Sequence, residues 1–200
     1  MTPAHWVLAT TNRGKVAELS ALLAEAGVAL HVTAQSELGV GASPETGATF
    51  VENALQKARH AARTTRLPAI ADDSGLVVAA LGGAPGVRSA RYAGEQADDG
   101  ANVVKLLAAL ADPSLDRSAC FHCALVALRD PEDAAPLIAT GSWAGQIARE
   151  PKGSRGFGYD PVFFDPTLGR TAAELDAAEK NRVSHRGAAL RGLVELLKNR

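Results

Sequence analysis

The sequence has only two cysteines, Cys120 and Cys123, and they form a Cys-x-x-Cys pattern. Such a pair suggests a zinc site or a redox-active dithiol when further ligands complete it. No second cysteine pair exists here, and His122 alone does not supply the missing ligands. The pair also lies in a segment predicted to be a strand, where residues three apart face opposite sides. We therefore interpret both cysteines as free thiols in a reducing cytoplasm.

The chain also lacks long apolar runs and any excess of charge. No run approaches the roughly 18 apolar residues that a membrane span requires. Residues 1–10 lack the basic and apolar regions of a signal peptide. The formal net charge is −1, so the overall charge offers no footprint for a nucleic-acid backbone. We expect a cytoplasmic protein with neither a membrane nor a nucleic-acid partner.

What is present is an alternation of segments with strand and helix periodicity. With 200 residues, of which 46% are hydrophobic, the chain is long enough for one sizeable core or one domain with two lobes. The periodicity indicates an α/β fold with a mixed sheet, in a single domain over residues 1–200. The predicted strands are His5–Thr10, Leu30–Thr33, Ala69–Ala71, Ser118–Leu128, Leu137–Glu150 and Val162–Phe164. The predicted helices are Lys15–Ala26, a helix after the capping box of Thr49 and Glu52, Asp98–Ala111 and Ser184–Lys198.

Two adjacent carboxylates, Asp72 and Asp73, follow an apolar run that begins at Ala69 and precede Ser74 and Gly75. Neighbouring negative charges repel each other, and burial at the end of a predicted strand penalises both. A divalent cation removes this conflict, and Mg²⁺ prefers carboxylate oxygens together with substrate phosphates. The pair therefore indicates a metal–phosphate site, while an ordinary Asp-Ser-Gly turn is the alternative interpretation.

Residues 10–15, Thr-Thr-Asn-Arg-Gly-Lys, lie between a predicted strand and a predicted helix. Exposed N–H groups at a helix N-terminus, a glycine that allows close approach and Lys15 together favour a phosphate cradle. The spacing is not that of a Walker A motif. The alternative is an ordinary helix start with Asn12 as its N-cap, and the two roles are compatible.

Glu45 lies in the loop 43–47, immediately before the capped helix. A lone loop glutamate is usually solvated, but the capped helix pins this loop, so Glu45 is able to approach a metal on Asp73. Asn53 and Lys57 follow four residues apart on one face of the helix. That face points either toward the site or toward water, and water is the ordinary expectation for a helix.

Residues 153–160, Gly-Ser-Arg-Gly-Phe-Gly-Tyr-Asp, form a glycine-rich loop in a chain with only 4% aromatic residues. Glycines on both sides of Phe157 would let its ring lie flat against a nucleobase. Asp160 would accept hydrogen bonds from N–H groups of the base. The alternative is a turn closed by a packed aromatic side chain.

Four polar residues, Lys180, Ser184, His185 and Arg186, are predicted to gather at the start of the last helix. As donors they match the carbonyl and ring-nitrogen acceptors of a purine, and the cations would neutralise phosphate charge. The alternative is that Ser184 caps the helix and its basic neighbours are solvated.

Six ordered motifs together resemble the inosine triphosphate pyrophosphatase family, whose members hydrolyse non-standard purine nucleoside triphosphates such as ITP, dITP and XTP. The motifs are A-T-T-N-R-G-K, E-T-G-A-T-F-x-E-N-A, A-I-A-D-D-S-G-L, G-G-A-P-G-V-x-S-A-R-Y-A-G, G-F-G-Y-D-P-V-F-F and S-H-R-G-x-A-L. The resemblance extends from Thr10 to about Gly192. Thr11 stands where many family members have glycine, which would tighten the phosphate loop.

The resemblance implies a role for each motif residue. Asp73 would be the catalytic carboxylate and, with Glu45, would bind the metal. The triphosphate would be bound by Ser74 and by the phosphate loop of Thr10, Thr11, Asn12, Arg13, Gly14 and Lys15. The base would be stacked and read by Phe157, Gly158, Tyr159 and Asp160, and its 6-oxo group by Lys180, His185 and Arg186.

The resemblance also implies an elongated mixed sheet flanked by helices, with the active site in a cleft between two lobes. We expect a cytoplasmic homodimer with one Mg²⁺ per subunit, for which Mn²⁺ is an alternative. The substrate would be a small-molecule purine triphosphate, attacked at the α-phosphate to give a monophosphate and pyrophosphate. One alternative is a nucleotide-binding protein without turnover, which the intact carboxylates disfavour. Another is a pyrophosphatase for pyrimidine or modified nucleotides, which the Gly-Phe-Gly-Tyr-Asp loop together with Ser-His-Arg disfavours.

Overall fold

The computed structural model describes residues 4–199, which form a seven-stranded sheet flanked by helices. The strands are β1 (Ala4–Leu8), β2 (Leu30–Ala34), β3 (Ala69–Val78), β4 (Ser118–Leu128), β5 (Leu137–Ile147), β6 (Phe163–Asp165) and β7 (Arg170–Thr171). The α-helices are α1 (Arg13–Glu25), α2 (Phe50–Thr65), α3 (Asp99–Ala109), α4 (Ala177–Val183) and α5 (His185–Lys198). The strand order is β2-β1-β3-β4-β5-β6-β7. Because β1 pairs in parallel with β2 and β3, whereas β6 pairs antiparallel with β5 and β7, the sheet is mixed, as predicted.

The chain divides into two compact units, each discontinuous in sequence. The first unit comprises Met1–Asp73, Cys123–Gly141 and Ala189–Arg200, and the second comprises Ser74–His122 and Ser142–Ala188. Strands β3, β4 and β5 and helix α5 each contribute residues to both units.

In the first unit the sheet is buried on both faces. One face packs against α1 and α5 through a cluster that includes Leu8, Ile70, Leu19, Leu23 and Leu193. The other face packs against α2 through a cluster that includes Val7, Ala69, Ala71, Ala54 and Ala58. Because successive strand residues face opposite sides, Asp72 continues the α1 face of β3 and Asp73 continues the α2 face.

The second unit has an aromatic and aliphatic core of its own, drawn from β3 to β6 and from α3. The core includes Leu76, Leu106, Phe121, Trp143 and Phe163. The indole Nε1 of Trp143 donates to the Asp165 carboxylate at 2.8 Å, so the one polar atom of this buried ring has a partner.

The prediction that the acidic pair ends a strand is wrong. Strand β3 continues for ten residues, from Ala69 to Val78, so Asp72 and Asp73 lie in its middle, and the Asp-Ser-Gly turn does not form either. Both residues are buried, with exposed fractions of 5% and 8%. The strand tolerates them because each has a lysine partner, described below.

Among the strands and α-helices of residues 4–199, strand β7 and helix α4 were not predicted from the sequence. Helix α4 carries its own capping box, in which Asp176 accepts from Glu179 N and Glu179 accepts from Asp176 N. It contains Lys180, so the prediction that Lys180 lies at the start of the last helix is wrong. The capping box predicted for α2 is confirmed, with Thr49 and Glu52 as its two members.

Cys120 and Cys123 both lie in β4 and keep their thiols outside any disulfide bond, as predicted, and Cys123 is buried. Within residues 4–199 we find no helix with the length and apolar character of a membrane span.

Candidate active site

The first of the two buried carboxylates, Asp72, pairs with a lysine from α1. Lys15 Nζ lies 2.8 Å from Asp72 Oδ2 and 3.1 Å from Oδ1, so the ammonium contacts both oxygens. The side chain of Lys15 is 28% exposed, whereas that of Asp72 is 3% exposed. The lysine predicted to bind phosphate is thus held beside the strand by a buried counter-ion.

The second carboxylate, Asp73, pairs with Lys57 from α2, and this lysine also contacts Glu45. Lys57 Nζ lies 2.7 Å from Asp73 Oδ1 and 2.6 Å from Glu45 Oε1, and it also donates to the Asp72 carbonyl oxygen at 3.3 Å. The two predicted metal ligands therefore meet at one ammonium group. The preference for a solvent-facing Lys57 is wrong, because this side of α2 packs on the sheet.

Asn53 joins the glutamate loop to Asp73. Its side-chain nitrogen donates to Asp73 Oδ2 at 3.2 Å, and its oxygen accepts from Gly47 N at 2.8 Å. Asn53 is fully buried. A Cβ at Gly47 would lie 2.6 Å from the Glu52 side chain, so only glycine fits where the loop crosses the start of α2. These contacts fix the loop that carries Glu45.

Burial and neighbouring opposite charges have opposing effects on the pKa values of Asp73 and Lys57. Burial raises the pKa of the Asp73 carboxyl above its ordinary value, although Lys57 and Asn53 pull it down. Burial alone would lower the pKa of Lys57, but attraction to Asp73 and Glu45 raises it. Lys57 therefore remains charged, and with both carboxyls ionised the three side chains carry one net negative charge.

Residues 10–15, which are predicted to bind phosphate, have the geometry of a capped helix start. Asn12 is the N-cap of α1 and accepts from Gly14 N at 2.8 Å, while the Thr10 hydroxyl accepts from Asn12 N at 3.1 Å. Thr10 is buried, whereas Thr11 and Arg13 are exposed, so side chains of both kinds line the loop. The N-cap interpretation of Asn12 is confirmed, and its contact with phosphate stays a prediction.

The oxygen donors at Asp73 suit a hard cation that takes its remaining ligands from other molecules. In residues 4–199 no group of three or more His, Cys, Asp or Glu side chains is arranged to hold a metal ion. Glu45 and Asp73 supply oxygen donors brought together by one lysine, and Mg²⁺ is commonly held by one or two carboxylates plus substrate phosphates. The two residues therefore fit such an ion.

In the second unit, the glycine-rich loop presents Phe157 and buries its neighbours. Phe157 is 68% exposed, while Tyr159 and Asp160 are 4% and 3% exposed. The Asp160 carboxylate accepts from Phe157 N at 2.9 Å and forms an ion pair with Lys180. Lys180 Nζ also lies 5.0 Å from the centroid of the Phe157 ring. Lys180, Phe157 and Asp160 are therefore brought together.

Tyr159 braces the loop from beneath. Its hydroxyl donates to the Ser89 carbonyl oxygen at 2.9 Å, and burial raises its pKa. Ser89 in turn accepts from Leu76 N of β3 at 2.8 Å through its own hydroxyl. Gly158 N donates to Asp99 at 2.6 Å. The base-stacking role of Tyr159 stays a prediction, and its contacts favour bracing.

His185 and Arg186 begin α5 and are partly exposed. The His185 ring stacks on Phe121 of β4, with centroids 4.7 Å apart and planes 11° apart. Ser184 accepts from Gly187 N at 3.1 Å, so the predicted capping role of Ser184 is confirmed. Ser74, in the middle of β3, is exposed.

Several residues that support the predicted site residues were not predicted from the sequence to belong to the site, namely Asn53, Lys57, Ser89, Asp99 and Phe121. Asn53 and Lys57 carried a signal, their four-residue spacing in a helix that follows a site loop. Ser89 lies within one of the six motifs. Asp99 and Phe121 carried no signal, because only the folded chain brings them to Gly158 and His185.

Comparison with known proteins gives one consistent result. A model of the Ham1 family matches residues 6–196. Proteins named dITP/XTP pyrophosphatase from Shigella flexneri and Escherichia coli (strain K12) are 59% and 58% identical over 194 residues, covering 96% of this chain and 98% of each relative. The structure of a HAM1 protein from Coxiella burnetii is 53% identical, with a TM-score of 0.93, covering 98% of this chain and 100% of that one. The Staphylococcus aureus Ham1 protein is 39% identical, with a TM-score of 0.88 and 98% coverage of both chains.

Proposed function

The chain belongs to the Ham1 family, and from this premise we propose that it hydrolyses non-standard purine nucleoside triphosphates, among them dITP and XTP, to a monophosphate and pyrophosphate. The family membership confirms the resemblance inferred from the six motifs. The observation that carries the proposal is the meeting of Asp73, Glu45 and Lys57 in a chain that is 59% identical to a relative named dITP/XTP pyrophosphatase.

We propose Mg²⁺ as the metal, which Glu45 and Asp73 would hold. Such an ion would neutralise phosphate charge and lower the pKa of the attacking water. Two carboxylates offset by Lys57 leave a net charge of −1, which suits a cation that arrives with an anionic nucleotide. Mn²⁺ is the alternative.

The chain's own groups supply the remaining chemistry. We assign Asp73 the role of accepting a proton from the water that attacks the α-phosphate, the step that breaks the α–β phosphoanhydride bond. Asn53 and Lys57 hold this carboxylate in one orientation. Lys15 and the N–H groups at the start of α1 stabilise the charge that develops on the departing pyrophosphate.

Selectivity for the base follows from the donors of the second unit. Lys180, His185 and Arg186 are assigned to the 6-oxo group of hypoxanthine or xanthine, and Phe157 to the face of the base. Adenine carries an amino donor at that position, so a donor in the site would lose its partner at a cost of about 1–3 kcal/mol.

We further propose a homodimeric state, a cytoplasmic location and the absence of a nucleic-acid partner. The first two are supported by the family resemblance. The third is supported by a net charge of −1, which provides no excess of basic residues for a phosphate backbone.

The test is a comparison of ITP, XTP, GTP and ATP as substrates in the presence of Mg²⁺, with pyrophosphate and orthophosphate measured separately. We expect rapid pyrophosphate release from ITP and XTP, and slow release from ATP, which lacks the 6-oxo group. GTP has the 6-oxo group, so its expected slow release requires exclusion at its 2-amino group. We expect a loss of about 10²–10⁴-fold in kcat for Asp73→Asn. Orthophosphate as the product would overturn the reaction. Binding of ITP without turnover would indicate a nucleotide-binding protein instead.

A further inference from the structure

Aromatic residues are scarce in this chain, but they are concentrated in one unit. Of nine Phe, Trp and Tyr residues, all except Trp6 and Phe50 belong to the second unit. This unit also contains the residues assigned to the purine base. Aromatic side chains of the second unit can therefore contact residues that are assigned to recognise the base.

Phe121 makes such a contact. Its ring and the His185 imidazole lie almost parallel, 11° apart, with centroids 4.7 Å apart, which is an offset-stacked arrangement. His185 is the first residue of α5, where a short side chain with two rotatable bonds has several orientations open to it. A flat neighbour at stacking distance limits the imidazole to one plane.

Phe121 is itself held firmly. Its ring is 7% exposed and lies 4.5 Å from the centroid of Phe163, which is fully buried. Its other aromatic neighbour, Trp143, is 6.4 Å away and is fixed by its hydrogen bond to Asp165. The stack on His185 therefore rests on a rigid cluster, so the imidazole plane is set by the core of the unit.

We propose that Phe121 is a positioning residue that determines purine selectivity, because it holds the His185 imidazole in the orientation in which it donates to a 6-oxo group. This inference rests on the proposed function. Phe121 contacts His185, and we expect it to act on the substrate through this residue. Its removal should weaken recognition of ITP, which uses the donor, and leave hydrolysis of ATP, which does not, nearly unchanged.

The kinetic test compares Phe121→Leu, which keeps an apolar side chain but removes the ring face, with Phe121→Tyr, which keeps the face. We expect kcat/KM for ITP to fall about tenfold in Phe121→Leu, with little change for ATP, and to stay near the wild-type value in Phe121→Tyr. Leu110→Ala is the matched control, since Leu110 is a buried residue of the same core. An equal loss of selectivity in Leu110→Ala would overturn the proposal, because general loosening would then suffice.

A spectroscopic test observes the stack of His185 on Phe121 directly in the wild-type protein. The chain has five histidines, so their ring resonances are resolvable, and His185→Asn identifies the one from His185. In the wild-type protein we expect upfield-shifted His185 ring protons with nuclear Overhauser contacts to Phe121. Absence of both overturns the stack. If the stack is present but ITP is not hydrolysed, the proposed function fails and the selectivity role fails with it, so the two failures are distinguishable.

Discussion

Two lysine–aspartate pairs of similar burial serve different ends in the two units. Lys57 and Asp73 of the first unit have side chains 17% and 9% exposed, and Lys180 and Asp160 of the second have side chains 19% and 4% exposed. Lys57 draws a second carboxylate, Glu45, toward Asp73. Lys180 lies over an aromatic ring, and Asp160 anchors the loop that carries this ring. A lysine–aspartate pair thus gathers charged side chains in the first unit, whereas in the second unit a pair of the same type positions an exposed aromatic ring.

The largest effect is expected from breaking the first pair. Lys57→Met leaves Asp73 and Glu45 without their shared cation, so the free energy of unfolding should fall by about 3 kcal/mol and kcat by about 100-fold. Urea unfolding and the initial rate of pyrophosphate release measure the two. Lys57→Arg keeps the charge and is the control. A Lys57→Met enzyme with wild-type kcat would contradict the view that this lysine orients Asp73.

Breaking the second pair should act on substrate affinity. Lys180→Met removes the cation from Asp160 and from the Phe157 ring, so KM for ITP should rise about tenfold while kcat changes less. Steady-state kinetics over a range of ITP concentrations separate the two parameters. If Lys180→Met lowered kcat as strongly as Lys57→Met does, the two pairs would not differ in function.

In the glycine-rich loop 153–160, substitution of the exposed Phe157 and of the buried Tyr159 should have different effects on KM and on stability. Phe157→Ala removes a ring that is 68% exposed, so KM for ITP should rise about tenfold or more through lost stacking, with little change in thermal stability. Tyr159→Phe removes the hydroxyl that donates to Ser89, so stability should fall by about 1–2 kcal/mol with KM nearly unchanged. The opposite assignment of the two effects would make Tyr159 the stacking residue.

The smallest effect on catalysis is expected at Asp133, a carboxylate of the first unit outside the site. It accepts from Arg129 N and Ala135 N, and these hydrogen bonds lower its pKa to about 2. Because the unfolded value is about 3.9, its contribution to stability is present above about pH 4 and is lost as the pH falls toward 2. Asp133→Asn should flatten acid unfolding over that range without altering kcat at neutral pH. An unchanged acid profile would contradict the assignment.

The sequence predicted much of the fold because apolar alternation and capping boxes are local signals. Ser118–Leu128 matches β4, and Thr49 and Glu52 cap α2 as expected. The end of β3 was predicted wrongly because two adjacent aspartates are typical of a strand end, unless lysines from elsewhere in the fold neutralise them. Lys15 and Lys57 lie 57 and 16 residues from their aspartates in the sequence. No local sequence pattern predicts contacts over such separations.

The candidate site was predicted unevenly for the same reason. Motif residues such as Glu45 and Asp73 were found, and the structure brings them to one lysine. Their supports, Asn53 and Phe121, were missed or left open, since which face of a helix or strand is buried depends on its neighbours in the fold. Helix α4 could have been found from the spacing of Asp176 and Glu179, which is that of a capping box.

Attack of water at the α-phosphate transfers the solvent oxygen to the nucleoside monophosphate, so the position of this oxygen in the products identifies the phosphorus that reacts. Hydrolysis of ITP in ¹⁸O-labelled water, followed by mass spectrometry of both products, distinguishes the reacting phosphorus. We expect label in the monophosphate and none in the pyrophosphate. Label in the pyrophosphate, or release of labelled orthophosphate, would contradict it.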